Sequence, residues 1–179
     1  MIAYAITDPS TLNFNNLESD IKRFVRKATM IVYRDKSTHS YTQNAEKFIN
    51  ESKKHSFSKI FLHSNYILAH RLKADGVHLT STQFDDIKKA KALGLFVIIS
   101  THCLEEALNA QSLGADMLTF SPIFTTANKG EPKGIEELNR VASKLSIPLL
   151  ALGGIISERH LFLCQKSKAE GFASIRWFS

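Results

Sequence analysis

The sequence predicts an α/β fold, a compact (β/α)₈ TIM barrel that lacks its C-terminal helix. Three observations predict it. Short apolar runs alternate eight times with longer segments of helical spacing. Small-residue turns, Ala74-Asp75-Gly76, Gly114-Ala115-Asp116 and Ala169-Glu170-Gly171, stand just before strands, where a close helix-to-strand turn needs them. The chain has 179 residues, against about 250 for a typical barrel. It opens almost on its first run and stops within or just after its last. A doubly wound open sheet alternates in the same way, so periodicity alone leaves that topology open.

The eight runs are Ile2–Thr7, Met30–Tyr33, Lys59–His63, Gly76–Leu79, Leu95–Ser100, Met117–Phe120, Pro148–Leu152 and Phe172–Trp177. Each is short and mostly apolar on both faces, the pattern of a buried parallel strand. Between them, Leu17, Ile21, Phe24, Val25 and Ala28 make one helical stripe, and Ala45, Phe48, Ile49 and Ser52 a weaker one. Leu104, Ala107, Leu108 and Gln111 follow, then Ile135, Leu138, Val141, Ala142 and Leu145. All four fit the face of a helix lying on a sheet. Glu105 and Glu106 stand where a helix N-terminus favours acids. The length suits one domain over residues 1–179. With the eighth helix missing, one flank is bare, and we expect a second copy to cover it as a homodimer.

Composition narrows the function. The 23 Lys and Arg exceed the 17 Asp and Glu by six, yet they are spread along the chain, and no basic block marks a nucleic-acid surface. A hydrophobic content of 44% excludes disorder, and 8 Gly with 4 Pro exclude a collagen-like chain. No apolar run nears the roughly 20 residues of a membrane helix, and Met1–Thr7 lacks the features of a signal peptide. Cys103 and Cys164 are too few for a disulfide framework and suit a reducing cytosol, so a cytoplasmic location is expected. No zinc-type Cys/His spacing, dinucleotide-binding glycine pattern, Walker loop or GxSxG sequence occurs.

In a barrel the chemistry sits at the C-terminal strand ends. Arg34 and Lys36 follow the second run, and Lys129 lies in a polar Thr-Thr-Ala-Asn-Lys-Gly loop after the sixth, long enough to act as a lid. These cations suit a polyanion. Gly153-Gly154 ends the seventh run and opens into a helix at Ser157, an arrangement that binds anions through backbone N–H groups. Without a barrel around it, the same pair is a tight turn that binds nothing. Ser174 and Arg176 fall in the eighth run, beside the usual phosphate site of barrels. His63, His78 and His102 all fall at strand ends, whereas His39, His55, His70 and His160 carry no signal.

Several segments occur in a specific order: Ala74-Asp75-Gly76-Val77-His78-Leu79, Ser100-Thr101-His102…Glu105-Glu106-Ala107, Gly114-Ala115-Asp116, Pro122-Ile123-Phe124…Thr126…Lys129-Gly130 and Ile147-Pro148…Ala151-Leu152-Gly153-Gly154-Ile155. Together they resemble the thiamine-phosphate synthase superfamily, which includes the TenI-like thiazole tautomerases. The resemblance covers nearly the whole chain. It implies a barrel that handles the thiazole phosphate of thiamine biosynthesis. A synthase joins that thiazole to a hydroxymethylpyrimidine diphosphate and expels pyrophosphate, with Mg²⁺ on the diphosphate. The family's Arg-x-Lys matches Arg34 and Lys36, its lid Thr and Lys match Thr126 and Lys129, and its phosphate turn matches Gly153 and Gly154.

The departures bear on activity. Val32 stands where the synthase pattern has Gln, and His63-Ser64 where it has Asn-Asp, the Asp being a Mg²⁺ ligand. Thr80, Ser81, Thr82 and Gln83 replace a Gly-Gln-x-Asp, so the second ligand is also lost. Arg176 occupies a synthase Ser position, and the tautomerase His falls on Pro122. Three readings follow: a metal-independent TenI-like enzyme, a synthase that recruits Mg²⁺ through the diphosphate alone, and a non-catalytic barrel that binds thiamine precursors or a partner protein. The first is favoured, with His63 as first candidate acid/base and His102 as second. Arg34, Lys36, Ser100, Thr126, Lys129, Gly153, Gly154, Ser174 and Arg176 are the expected substrate and phosphate contacts. No metal ligand and no cofactor are expected, Mg²⁺ entering only with the synthase reading.

Overall fold

A computed structural model describes residues 1–179 and shows a closed barrel of eight parallel strands in sequential order. The strands are β1 (Ile2–Ile6), β2 (Met30–Tyr33), β3 (Lys59–His63), β4 (Gly76–Leu79), β5 (Phe96–Thr101), β6 (Met117–Phe120), β7 (Leu149–Leu152) and β8 (Gly171–Ser174). Closure comes from β1 pairing β8, with Tyr4 opposite Ala173. The open-sheet alternative is thereby excluded.

Seven helices surround the barrel: α1 (Leu17–Val25), α2 (Tyr41–Ser52), α3 (Tyr66–Arg71), α4 (Asp86–Ala92), α5 (Leu104–Ser112), α6 (Gly134–Ala142) and α7 (Glu158–Lys166). α3 and α4 have only six and seven residues, too short to show a full apolar stripe. In α5 the buried face is Ala107 and Ala110, while Leu108 is exposed, so the stripe read through Leu108 is corrected. Small residues there let the helix backbone sit close to the barrel.

Because side chains alternate along a strand, each strand feeds two cores. Outward residues such as Ile31, Leu62, Val97, Leu118 and Ala151 pack under the helices. Inward residues Tyr4, Ile6, Met30, Val32, Phe61, Ile98, Met117, Leu150 and Ala173 fill the barrel, with Phe61 edge-on to both Tyr4 and Phe96. Towards the C-terminal strand ends the inward positions turn polar: His63, His78, Ser100 and Thr119. That change of chemistry along the barrel axis creates the site.

The eighth run departs further from the sequence pattern. β8 stops at Ser174, and 175–178 form a turn, so Arg176 lies beyond the strand rather than in it. The Ser174 hydroxyl accepts from the Trp177 amide (3.1 Å), which bends the chain back. Phe178 is then buried, its ring parallel to Phe172 at 5.7 Å. Arg23 Nη1 donates to the Phe178 carbonyl (3.2 Å) and Nη2 to the Thr11 carbonyl (2.8 Å). This turn closes part of the flank where an eighth helix would pack. No helix is long and apolar enough to cross a membrane.

Candidate functional site

At the C-terminal strand ends lies a cavity of about 260 Å³. Its wall contains Arg34 and Lys36 after β2, His63 and His78 from β3 and β4, and Ser100 and His102 from the end of β5. Thr126 and Lys129 come from the loop after β6, Gly153 and Gly154 from the turn after β7, and Ser174 and Arg176 from the end of β8. The structure therefore brings all eleven expected site residues to one cavity, together with His78, which the sequence placed at a strand end without a role.

Charge is the dominant property of this wall. Four cations line it, Arg34, Lys36, Lys129 and Arg176, and no Asp or Glu does. None of the four takes part in the chain's ion pairs. Arg34, burial and Lys129 together push Lys36 below the usual lysine range, so these charges repel across the cavity. The neighbouring Asp35 does not neutralise them by contact: its Oδ1 accepts from the Ser37 amide and hydroxyl (both 2.9 Å) and the Thr38 amide (3.1 Å). Like charges held together with no counter-charge favour an anion.

The turn after β7 supplies neutral donors. Gly153 and Gly154 have φ of +98° and +70°, conformations that L side chains avoid. Their amides and that of Ile155 donate to no protein carbonyl, although Ile155 is buried. α7 follows, with Ser157 as its N-cap, Oγ accepting from the His160 amide at 3.3 Å. Unpaired amides beside a helix N-terminus form an anion-binding concavity. Two of the expected ligand contacts also donate hydrogen bonds within the protein. The Ser174 hydroxyl donates to the Ile155 carbonyl (2.9 Å), tying this turn to β8. The Thr126 hydroxyl donates to the Phe124 carbonyl (2.9 Å) and bonds within its own loop.

The histidines differ in what they can do. Burial, then Arg34, then Lys36 push His63 down to about 4, so its ring resists a proton. His102 Nδ1 lies 3.0 Å from the Ser121 carbonyl, which only accepts, so Nδ1 carries hydrogen and Nε2 holds the lone pair of the neutral ring. His63 also has a consequence for stability. Its folded pKa lies below the ordinary value, so as pH falls from about 6.5 towards 4 the unfolded chain takes up a proton that the folded chain refuses. We expect stability to fall across that window, and His63→Asn to recover about 1–2 kcal/mol of the loss at pH 4.5. Urea unfolding at pH 7.5 and 4.5 checks this.

The family's Mg²⁺ does not fit the residues present. Gln83 Nε2 donates to the Ser64 carbonyl (3.0 Å) and to Asp86 (3.2 Å), while Oε1 accepts from the Thr80 amide (3.1 Å). The side chain that replaces a carboxylate thus stitches two loops together. The nearby Asp86 carboxylate is paired with Lys89 at 3.0 Å. Neither Ser64 nor Gln83 lines the cavity.

Fold and site together define a (β/α)₈ barrel with a cationic, carboxylate-free cavity at the C-terminal ends of its strands. The family model described as thiamine monophosphate synthase matches residues 3–178, and the chain belongs to that family, the thiamine-phosphate synthase/TenI superfamily. It is similar to the putative thiamine-phosphate synthase 2 of Aquifex aeolicus, 32% identical over 98% of this chain and 96% of that one. It is also similar to the thiamine-phosphate synthase of Clostridium acetobutylicum, 30% identical over 87% of this chain and 76% of that one. Among solved structures, thiamine phosphate pyrophosphorylase from Pyrococcus furiosus superposes with a TM-score of 0.83 and 26% identity, over 97% of this chain and 85% of that one.

Proposed function

We propose that this chain is a TenI-like enzyme that binds thiazole phosphate and shifts a proton on it without a metal ion. The observation that carries the reading is the cavity wall: four unpaired cations, free turn amides and no carboxylate. The phosphate sits on the Gly153 and Gly154 amides near Arg176, where hydrogen bonds to a charged oxygen are strong. Arg34, Lys36 and Lys129 hold the opposite rim positive and attract the ligand.

Proton transfer needs a base able to hold a proton near neutral pH. Of the two candidates, His63 is kept unprotonated by burial and the cations beside it, and His102 is the one we assign as the base on geometry. Its orientation is fixed by the Ser121 carbonyl, and its free Nε2 belongs to a ring that lines the cavity. A carboxylate-bound metal has no part in this scheme, since Ser64 and Gln83 are neutral. A cytoplasmic location agrees with a soluble thiamine precursor as ligand.

Calorimetric titration with thiazole phosphate in EDTA tests the reading, with Lys129→Ala beside the wild type. We expect saturable binding by the wild type and about tenfold weaker binding by the variant, the loss of one charge-assisted contact. Equal affinities would remove Lys129 from the site.

A further inference from the structure

The floor of the cavity is the outer end of a buried chain of hydrogen bonds. The Tyr4 hydroxyl lies 3.1 Å from His78 Nδ1, and His78 Nε2 lies 3.1 Å from Ser100 Oγ. The Thr119 hydroxyl donates to the same Ser100 Oγ at 3.4 Å. Tyr4, His78 and Thr119 are buried, whereas Ser100 is partly open and lines the cavity; Tyr4 does not.

Direction along this chain is fixed by its closed end. Burial, then His63, then Arg34 hold the His78 ring well below the ordinary histidine range, so it is neutral and carries one hydrogen. The Tyr4 hydroxyl has no partner besides His78. Were hydrogen on Nδ1, the tyrosine hydrogen would be orphaned in the barrel interior, a costly arrangement. Tyr4 therefore donates to Nδ1, and Nε2–H donates to Ser100. With Thr119 donating as well, both acceptor positions of Ser100 Oγ are filled from within the protein. Its own hydrogen has one direction left, the cavity.

We propose that Tyr4 and His78 act as positioning residues that make Ser100 an obligatory hydrogen-bond donor, so that the cavity selects a ligand presenting an acceptor at its buried end. This rests on the thiazole phosphate reading, under which the acceptor is the ring nitrogen. A ligand with the same shape and C–H in place of that nitrogen loses the bond.

Two measurements test this. Long-range proton–nitrogen NMR, with His78 assigned by the His78→Asn variant, reads the tautomer directly. Hydrogen on Nε2 is expected, and hydrogen on Nδ1 would overturn the proposal. Calorimetry then compares thiazole phosphate with its thiophene isostere. The wild type is expected to prefer the thiazole about tenfold, the worth of one net hydrogen bond. Ser100→Ala is expected to bring the two ligands within about twofold, and Tyr4→Phe, which frees the His78 ring to take either tautomer, to reduce the preference several-fold. Because Tyr4 does not line the cavity, its effect must pass through His78; a preference undiminished in a folded Tyr4→Phe, or absent in the wild type, overturns the proposal. Failure of the wild type to bind either compound overturns the thiazole reading and the ring-nitrogen assignment with it, while the NMR result still decides the donor chain.

Discussion

Gly154→Ala is expected to weaken binding of thiazole phosphate by about 100-fold and to lower the stability of the protein. A Cβ at this position meets the Phe124 carbonyl carbon, carbonyl oxygen and Cβ, all at 2.7 Å, and the residue has φ of +70°. Two of these neighbours are backbone, which cannot swing aside. The conformation costs about 1–2 kcal/mol for an L side chain, and relieving the overlap about 1–3 kcal/mol more. Relief comes by moving the turn, and the amides of Gly153, Gly154 and Ile155 move with it. Loss of two charge-assisted hydrogen bonds at about 1.5 kcal/mol each corresponds to the fall in affinity. Gly114→Ala is the control: its φ is +96°, but a Cβ there meets nothing within 4 Å. It shares the conformational cost and is expected to leave affinity unchanged. Calorimetry and thermal unfolding of the two variants separate strain from the site.

The second large effect is on the synthase reaction. Mixed with hydroxymethylpyrimidine diphosphate, thiazole phosphate and excess Mg²⁺, the protein is expected to release pyrophosphate at least about 10²–10³-fold more slowly than an intact synthase. That reaction is limited by charge building on the departing diphosphate. Mg²⁺ is commonly held through one or two carboxylates, and at the two corresponding positions this chain has Ser64 and Gln83. Gln83 is further committed to the Ser64 carbonyl, Asp86 and Thr80. Arg34, Lys36 and Lys129 remain in the cavity wall, so binding of an anion is expected to survive where turnover does not. Turnover at the rate of a synthase would promote the diphosphate-recruited Mg²⁺ reading instead.

The barrel was legible in the sequence because its strands are buried on both faces, so each shows as an uninterrupted apolar run. Four of the eight, β2, β3, β4 and β6, begin and end where the runs do. The end of β8 was not legible. Phe172 to Trp177 reads as a continued strand, but the Ser174 hydroxyl bonds both Ile155 and Trp177 and bends the chain. Such a bond joins residues 19 apart and leaves no local pattern. In α5, Leu108 falls at a helical spacing that suits a core residue, whereas the smaller Ala107 and Ala110 make the contact and Leu108 is exposed.

Much of the cavity wall was legible for a different reason: a barrel converts strand ends into neighbours. The roles of its residues were less so. Ser174 and Thr126 line the cavity, and the sequence did not show that their hydroxyls also donate to carbonyls of the protein. The position of His63 at a strand end suits a base, yet burial first, and then Arg34 and Lys36, push its pKa down. The tautomer of His78 depends on Tyr4, 74 residues earlier, and on Ser100, 22 residues later. Hydrogen-bond direction over such separations is set by the fold and is absent from any motif.

The cationic cavity is expected to bind a phosphorylated thiazole without a metal. Titration of the wild-type protein with thiazole phosphate, first in EDTA and then in excess Mg²⁺, tests it most directly. Saturable one-site binding with the same affinity in both is expected. Binding that requires Mg²⁺, or no binding in either condition, would contradict it.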